Sequence, residues 1–182
     1  MVEFLVVQDL AAGYGSLQIL NGISLVARPN QITVIVGPNG SGKSTLLKTI
    51  AGLTNIVQGQ IFPKLYSYMN TKVANLSGGE RQMVAMSMAL LRRPNTIMFD
   101  EPTANLAPII ANQVLETIVY LSKNSDLTIL LVEQNASRAL KIGHYAYLLV
   151  NGTTAFEGPP TTLLEHKELG RLYLGLTSFS SR

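Results

Sequence analysis

Short apolar runs alternate along the chain with longer stretches in which apolar residues return every third or fourth position. The short runs are Phe4 to Val7, Ile19 to Val26, Ile32 to Val36, Thr96 to Phe99, Leu127 to Val132, Tyr145 to Val150 and Thr153 to Phe156, and they predict strands. Several are continuous and rich in β-branched residues, as expected of strands covered on both faces. The longer stretches predict helices over Lys43 to Ala51, Gly78 to Leu91, Pro108 to Leu121 and Ala136 to Ile142, with a pair between Thr161 and Leu174. Ser77-Gly78-Gly79-Glu80 opens the second of these as a capping box, and Val84, Met88 and Leu91 follow at helical spacing. Pro108 starts the third, whose Ile110, Val114, Ile118 and Leu121 form one stripe. The alternation predicts α/β layers around a mostly parallel sheet. Thr54 to Asn75 is the least regular stretch.

Composition narrows this picture. The chain has 182 residues, 47% of them hydrophobic and 14% charged, with no cysteine. That is enough for one well-buried domain and too apolar for a disordered chain. A disulfide framework and cysteine-ligated metal sites are excluded. Two histidines, His144 and His166, make no histidine-rich metal centre; the first reads as a loop residue before a strand, the second as part of a charged helix face. The net charge is +3, and the densest cationic pair is Arg92-Arg93, which reads as solvated surface rather than a nucleic-acid patch. Met83, Met86 and Met88 read as packing. The apolar runs are strand-length, far short of the roughly 20 residues of a bilayer-spanning helix. Glu3 and the lack of a basic leader speak against a signal peptide, so a cytoplasmic protein is expected.

Chemistry enters at Gly37-Pro38-Asn39-Gly40-Ser41-Gly42-Lys43-Ser44-Thr45, which fits G-x-x-x-x-G-K-[ST]. It follows the run Ile32 to Val36 and opens a predicted helix. Glycines at 37, 40 and 42 let backbone N–H groups converge on phosphate oxygens, and the helix N-terminus adds its positive end. Gly37, Asn39, Gly40, Ser41, Gly42, Lys43, Ser44 and Thr45 are therefore candidate nucleotide-binding residues. Lys43 is expected on the β- and γ-phosphates, and the Ser44 hydroxyl on Mg²⁺. Thr96-Ile97-Met98-Phe99-Asp100-Glu101 is an apolar run ending in two carboxylates, expected to lie beside the phosphate-loop strand with its end facing the nucleotide. Asp100 is then a candidate Mg²⁺ ligand, and Glu101 a candidate to orient or deprotonate the attacking water.

Leu76-Ser77-Gly78-Gly79-Glu80-Arg81-Gln82 adds a second set of glycines at a helix start. One phosphate loop binds one nucleotide, so a second anion-seeking helix N-terminus implies a second subunit. The order GPNGSGKST, LSGGERQ, TIMFDEP is similar to the ATP-binding cassette (ABC) ATPases. The resemblance implies a P-loop core with a mostly parallel sheet, an N-terminal antiparallel β portion and a helical subdomain. It implies ATP and Mg²⁺, and a head-to-tail pair of cassettes in which Ser77, Gly78 and Gly79 cap the partner's γ-phosphate. It sets Tyr14, in Ala12-Gly13-Tyr14-Gly15, against adenine. It also sets Gln134, in Val132-Glu133-Gln134-Asn135, where most of the family carries a switch histidine; glutamine can bond a γ-phosphate but cannot titrate there. Leu106-Ala107-Pro108, the VEQN run, Phe156-Glu157-Gly158 and Arg171-Leu172-Tyr173-Leu174-Gly175 resemble the smaller cassette of branched-chain amino acid importers, and urea and amide importers share much of this. That resemblance implies a second cassette, identical or different, together with membrane permease subunits and a solute-binding protein. It implies a cytoplasmic protein held at the inner face of the cell membrane and hydrolysing ATP to drive transport, with no nucleic-acid partner.

One span departs from the family. Only 33 residues separate Lys43 from Ser77. The family places its Q-loop and its permease-docking helical subdomain there, so both are expected to be shortened, over about residues 54–76 of a single domain covering 1–182. Gln60, in Val57-Gln58-Gly59-Gln60-Ile61, reads either as the Q-loop glutamine or as a strand residue. Such a cassette could hydrolyse ATP, or could be a remnant that binds it with little turnover. Asn105-Leu106-Ala107 lacks the aspartate that most cassettes carry in the loop after Glu101, as does the importer branch.

Overall fold

The computed structural model describes residues 5–62, 86, 89–90 and 94–166. Strand β1 (Leu5–Tyr14) and β2 (Leu17–Ala27) form a hairpin, and β3 (Ile32–Val36) leads through the glycine loop into α1 (Lys43–Ile50). Then come β4 (Asn55–Phe62), β5 (Thr96–Asp100), α2 (Pro108–Asn124), β6 (Thr128–Val132), α3 (Ala136–Ile142), β7 (Tyr145–Val150), β8 (Thr153–Gly158) and α4 (Pro160–Glu165). The predicted helix at 78–91 is described only at Met86, Ala89 and Leu90, all helical. The C-terminal part of the last predicted helix pair lies outside the described residues.

Two sheets result. One has the order β5-β6-β3-β7-β8, parallel except for the antiparallel edge strand β8. The other is antiparallel, in the order β2-β1-β4. The sequence reading expected β5 beside β3, but β6 lies between them and bonds to both. Neighbouring parallel strands need not be consecutive in the chain, because each crossover returns to the sheet wherever an edge is open.

Every residue of β3 and of β6 is buried. Ile32, Val34 and Val36 face a core shared with Val114 and Ile118 of α2, Ala139 and Leu140 of α3, and Leu163 of α4. Ile35 on the opposite face joins Leu46, Leu47 and Ile50 of α1 and the inward residues of β1 and β2. The alternation along β3 thus feeds two cores, and α1 is packed between the parallel sheet and the antiparallel one. The sheets are tied where the Tyr147 hydroxyl accepts the Val26 N–H at 3.0 Å. His144 is more than a loop residue: its N–H donates to the Ile32 carbonyl and its Nδ1 accepts the Ile32 N–H at 3.0 Å.

The antiparallel sheet bends at a bulge. Gln8 pairs with Gln60 and Ala11 with Gln58, so Asp9 and Leu10 together oppose Gly59. Asp9 has φ 46° and Gly59 φ 97°. A Cβ on Gly59 would meet the carbonyl oxygens of Gln8 and Asp9, each at 2.6 Å. Strand β4 lies within the stretch that looked irregular in sequence, and Gln60 is one of its ladder residues.

Candidate phosphate and metal site

The candidate residues gather at the carboxyl ends of β3, β5 and β6, the edge at which open parallel sheets hold ligands. Strand β3 ends at Val36, and its next six residues turn sharply into α1. Gly37 has φ 151°, and a Cβ there would lie 2.1 Å from the Leu149 carbonyl oxygen. Gly42, at φ 97°, precedes the first turn of α1. The Ser41 N–H returns to Pro38 at 3.2 Å, and the Leu46 N–H closes the first helical bond on Gly42. The amides of Lys43, Ser44 and Thr45 precede that first bond, so they have no acceptor within the helix.

Lys43 folds back over this loop. Its Nζ donates to the carbonyls of Gly37 and Pro38, each at 3.0 Å. Burial pushes the ammonium below its usual pKa, while the nearby Glu101 and Asp100 carboxylates pull the other way. A desolvated cation leaning on two neutral carbonyls gains by meeting a phosphate. Ser44 Oγ, in the first turn of α1, donates to Asp100 Oδ1 at 3.2 Å, although β6 separates β5 from the β3 strand that leads into α1. The carboxylate of β5 therefore reaches the start of α1 as expected, across one more strand than expected.

Glu101 follows Asp100 in the left-handed conformation, φ 47°. Its N–H donates to the Val132 carbonyl at 2.9 Å, and its own carbonyl accepts the Ala104 N–H. The backbone of Gln134 leaves the end of β6 on the same edge, and its side chain is exposed. Tyr14 ends β1, 45% exposed, opposite Leu17. Further along β2, Leu20 and Ile19 lie against Gly42. Ser77, Gly78 and Gly79 lie outside the described residues. Glu133 and Thr103 were not among the residues expected at the site: Glu133 is 2% exposed, and its Oε1 accepts the Thr103 N–H at 3.0 Å and the Thr103 Oγ–H at 2.7 Å. A charged residue directly after a five-residue apolar strand was the available signal.

The donor set suits a nucleotide and Mg²⁺. Ser41 Oγ is buried with no hydrogen-bond partner. Gly40, at φ 77°, has open space where a side chain would stand. No group of three His, Cys, Asp or Glu side chains that could hold a metal occurs among the described residues. One serine hydroxyl and one carboxylate suit Mg²⁺, which keeps waters and takes phosphate oxygens as its remaining ligands.

Comparison with known proteins agrees. The family model for ABC transporters matches residues 20–68 and again residues 63–104. The probable branched-chain amino acid transport ATP-binding protein LivF of Archaeoglobus fulgidus is 38% identical, over 92% of this chain and 97% of that protein. The high-affinity branched-chain amino acid transport ATP-binding protein BraG of Pseudomonas aeruginosa is 29% identical, over 89% of this chain and 95% of that protein. The LivF alignment spans 228 residues, more than the whole of this 182-residue chain, so that relative has residues with no counterpart here. Among solved structures, the ADP conformation of MJ1267, an ATP-binding cassette of an ABC transporter, superposes with a TM-score of 0.80 at 20% identity, over 94% of this chain and 98% of that one. With 38% identity across nearly the full length of both proteins, on a fold shared with solved cassettes, the chain belongs to the ATP-binding cassettes of the ABC transporter family.

Proposed function

We propose that the chain binds Mg-ATP at this edge of the sheet and hydrolyses it to power import of branched-chain amino acids. It would work as one cassette of a head-to-tail pair, on the inner face of the membrane, with permease subunits and a solute-binding protein. The observation that carries the site is the meeting of two elements at the glycine loop: Lys43 of α1 folds back onto the loop carbonyls, and Ser44 beside it bonds Asp100 at the end of β5. Similarity to LivF and BraG supports the choice of solute. No helix among the described residues is long and apolar enough to cross a membrane.

In this reading Lys43 exchanges the carbonyls of Gly37 and Pro38 for β- and γ-phosphate oxygens. The amides from Gly40 to Thr45 surround the phosphates, with Gly37, Asn39, Ser41 and Gly42 shaping the loop, and Tyr14 stacks on adenine. Ser44 and Asp100 would hold Mg²⁺, which would supply charge neutralisation to the phosphates. Glu101 orients and polarises the attacking water. Gln134 donates an amide hydrogen to the γ-phosphate. Ser77, Gly78 and Gly79 close the partner's site. Catalysis of this kind is positioning and charge stabilisation, with no covalent chemistry by the protein.

A specific observation favours a second reading, a remnant that binds ATP with little turnover. The family model matches in two pieces that meet at residues 63–68, within the span that is short in this chain. Steady-state ATP hydrolysis decides between the two. Turnover lost in Glu101→Gln with ATP binding retained, and both lost in Lys43→Ala, supports the motor. ATP binding without turnover above that of Glu101→Gln refutes it for this chain.

A further inference from the structure

Glu133 is the buried carboxylate that the proposed mechanism leaves unused. A carboxylate removed from water needs strong donors. Glu133 finds them in a single residue, since both the N–H and the hydroxyl of Thr103 point at its Oε1. Thr103 is itself buried, at 8% exposure, and sits two residues beyond Glu101.

Glu101 needs such support. A non-glycine residue at φ 47° is strained, and it persists only where its surroundings over-determine it. The turn bonds internally through Ala104 N–H to Glu101 and Leu106 N–H to Thr103. Those bonds hold its shape but do not fix where it stands. Its position is fixed by two ties to the end of β6: the Glu101 N–H on Val132, and Thr103 on Glu133. The Glu133 N–H in turn donates to Ile35 of β3 at 3.4 Å, two residues before the glycine loop, and the residue after Glu133 is Gln134. One residue therefore links the Glu101 turn, the phosphate-loop strand and the γ-phosphate residue.

We infer that Glu133 is a positioning residue: by clamping Thr103 it fixes the turn that carries Glu101 relative to the phosphate loop. The inference rests on the reading of Glu101 as the residue that orients water. It gives Glu133 no contact with ATP, because its carboxylate is buried and engaged with Thr103.

The test uses the full chain, with kcat, KM, affinity for a fluorescent ATP analogue and melting temperature measured for Glu133→Ala, Thr103→Val and Thr103→Ser. Displacing a water-orienting group by about 1 Å costs up to roughly 100-fold in rate. Glu133→Ala and Thr103→Val are expected to lower kcat by about 10- to 100-fold while KM and analogue affinity stay within about threefold. Thr103→Ser, which keeps both donors, restores kcat, and the Glu133→Ala/Thr103→Val double variant is no slower than the worse single one. Unchanged kcat, loss of affinity in parallel with kcat, or a Thr103→Ser variant as slow as Thr103→Val overturns the inference. Amide exchange judges the clamp independently of turnover. Glu133→Ala is expected to speed exchange at Thr103 at least about tenfold while leaving β3 unchanged, and unaltered exchange at Thr103 overturns the clamp. Wild-type turnover no higher than that of Glu101→Gln, with the exchange effect present, refutes the hydrolysis reading and leaves the clamp standing.

Discussion

The Ser44 hydroxyl donates to the Asp100 carboxylate across 3.2 Å, joining the first turn of α1 to the end of β5 over the intervening β6. Two oxygen atoms poised in this way should bind a hard cation with little rearrangement. Ser44→Ala and Asp100→Asn are each expected to weaken the Mg²⁺ dependence of ATP binding by about 10-fold or more. Isothermal titration with ATP, in Mg²⁺ and in EDTA, checks this: the gap between the two affinities should narrow in both variants. A gap as wide as in the wild type would remove both residues from the metal site.

Tyr14 tests the other end of the nucleotide. The residue is 45% exposed at the end of β1, accessible to a base. Base–aromatic stacking contributes about 1–3 kcal/mol by alanine substitution. Tyr14→Ala should therefore weaken ATP binding by roughly 5- to 150-fold, with Tyr14→Phe near wild type. Titration with ATP and with triphosphate alone separates the causes, since triphosphate binding should be indifferent to either change.

Much of this arrangement was legible in the sequence, and the rest was hidden for identifiable reasons. Buried strands such as Ile32–Val36 and Tyr145–Val150 are continuous apolar runs whose ends were predicted to the residue. The phosphate loop was legible because only glycine suits the backbone at Gly37 and Gly42. Strand β4 was not picked out by its pattern, because Gln58, Gly59 and Gln60 interrupt the apolar alternation. In sequence Gln60 alone marked it, readable either as a Q-loop glutamine or as a strand residue. The neighbour of β5 was misplaced, because strand order follows from crossovers rather than from local pattern. Glu133 went unweighed because its partner is 30 residues away. A buried acidic residue and a solvated one look alike until the fold supplies the donor.

Gly59 gives the bulge a direct test. Alanine there would stand 2.6 Å from two carbonyl oxygens at a φ of 97°, and those oxygens belong to backbone rather than to yielding side chains. Gly59→Ala is expected to cost about 1–3 kcal/mol, or roughly 2–4 °C of Tm per kcal/mol. Thermal unfolding followed by circular dichroism measures it. The folded fraction should keep its ATP affinity, because the bulge lies in the antiparallel β1–β4 pair and supplies none of the phosphate- or metal-site residues. A Tm equal to that of the wild type would mean that the β1–β4 register shifts to absorb the methyl group.

Tyr147 makes the tie between the sheets sensitive to alkali. Burial raises its pKa above the ordinary 10.0, and Glu157 and Tyr145 add to that, against the opposing influence of the Val26 N–H and of Arg28. The native state therefore holds this proton more tightly than the unfolded chain does. Its contribution to stability is complete below pH 10.0 and is lost as pH rises toward the native value, because the unfolded state then binds fewer protons. Tyr147→Phe removes both the titrating group and the acceptor for the Val26 N–H. It should cost about 1–3 kcal/mol at neutral pH, the penalty of an unpaired and partly buried donor. Its urea midpoint should then fall less than that of the wild type between about pH 8 and about pH 11, so the two stability curves converge on the alkaline side. Parallel curves over that range would show that the Tyr147 proton is held no more tightly in the folded protein than in the unfolded one.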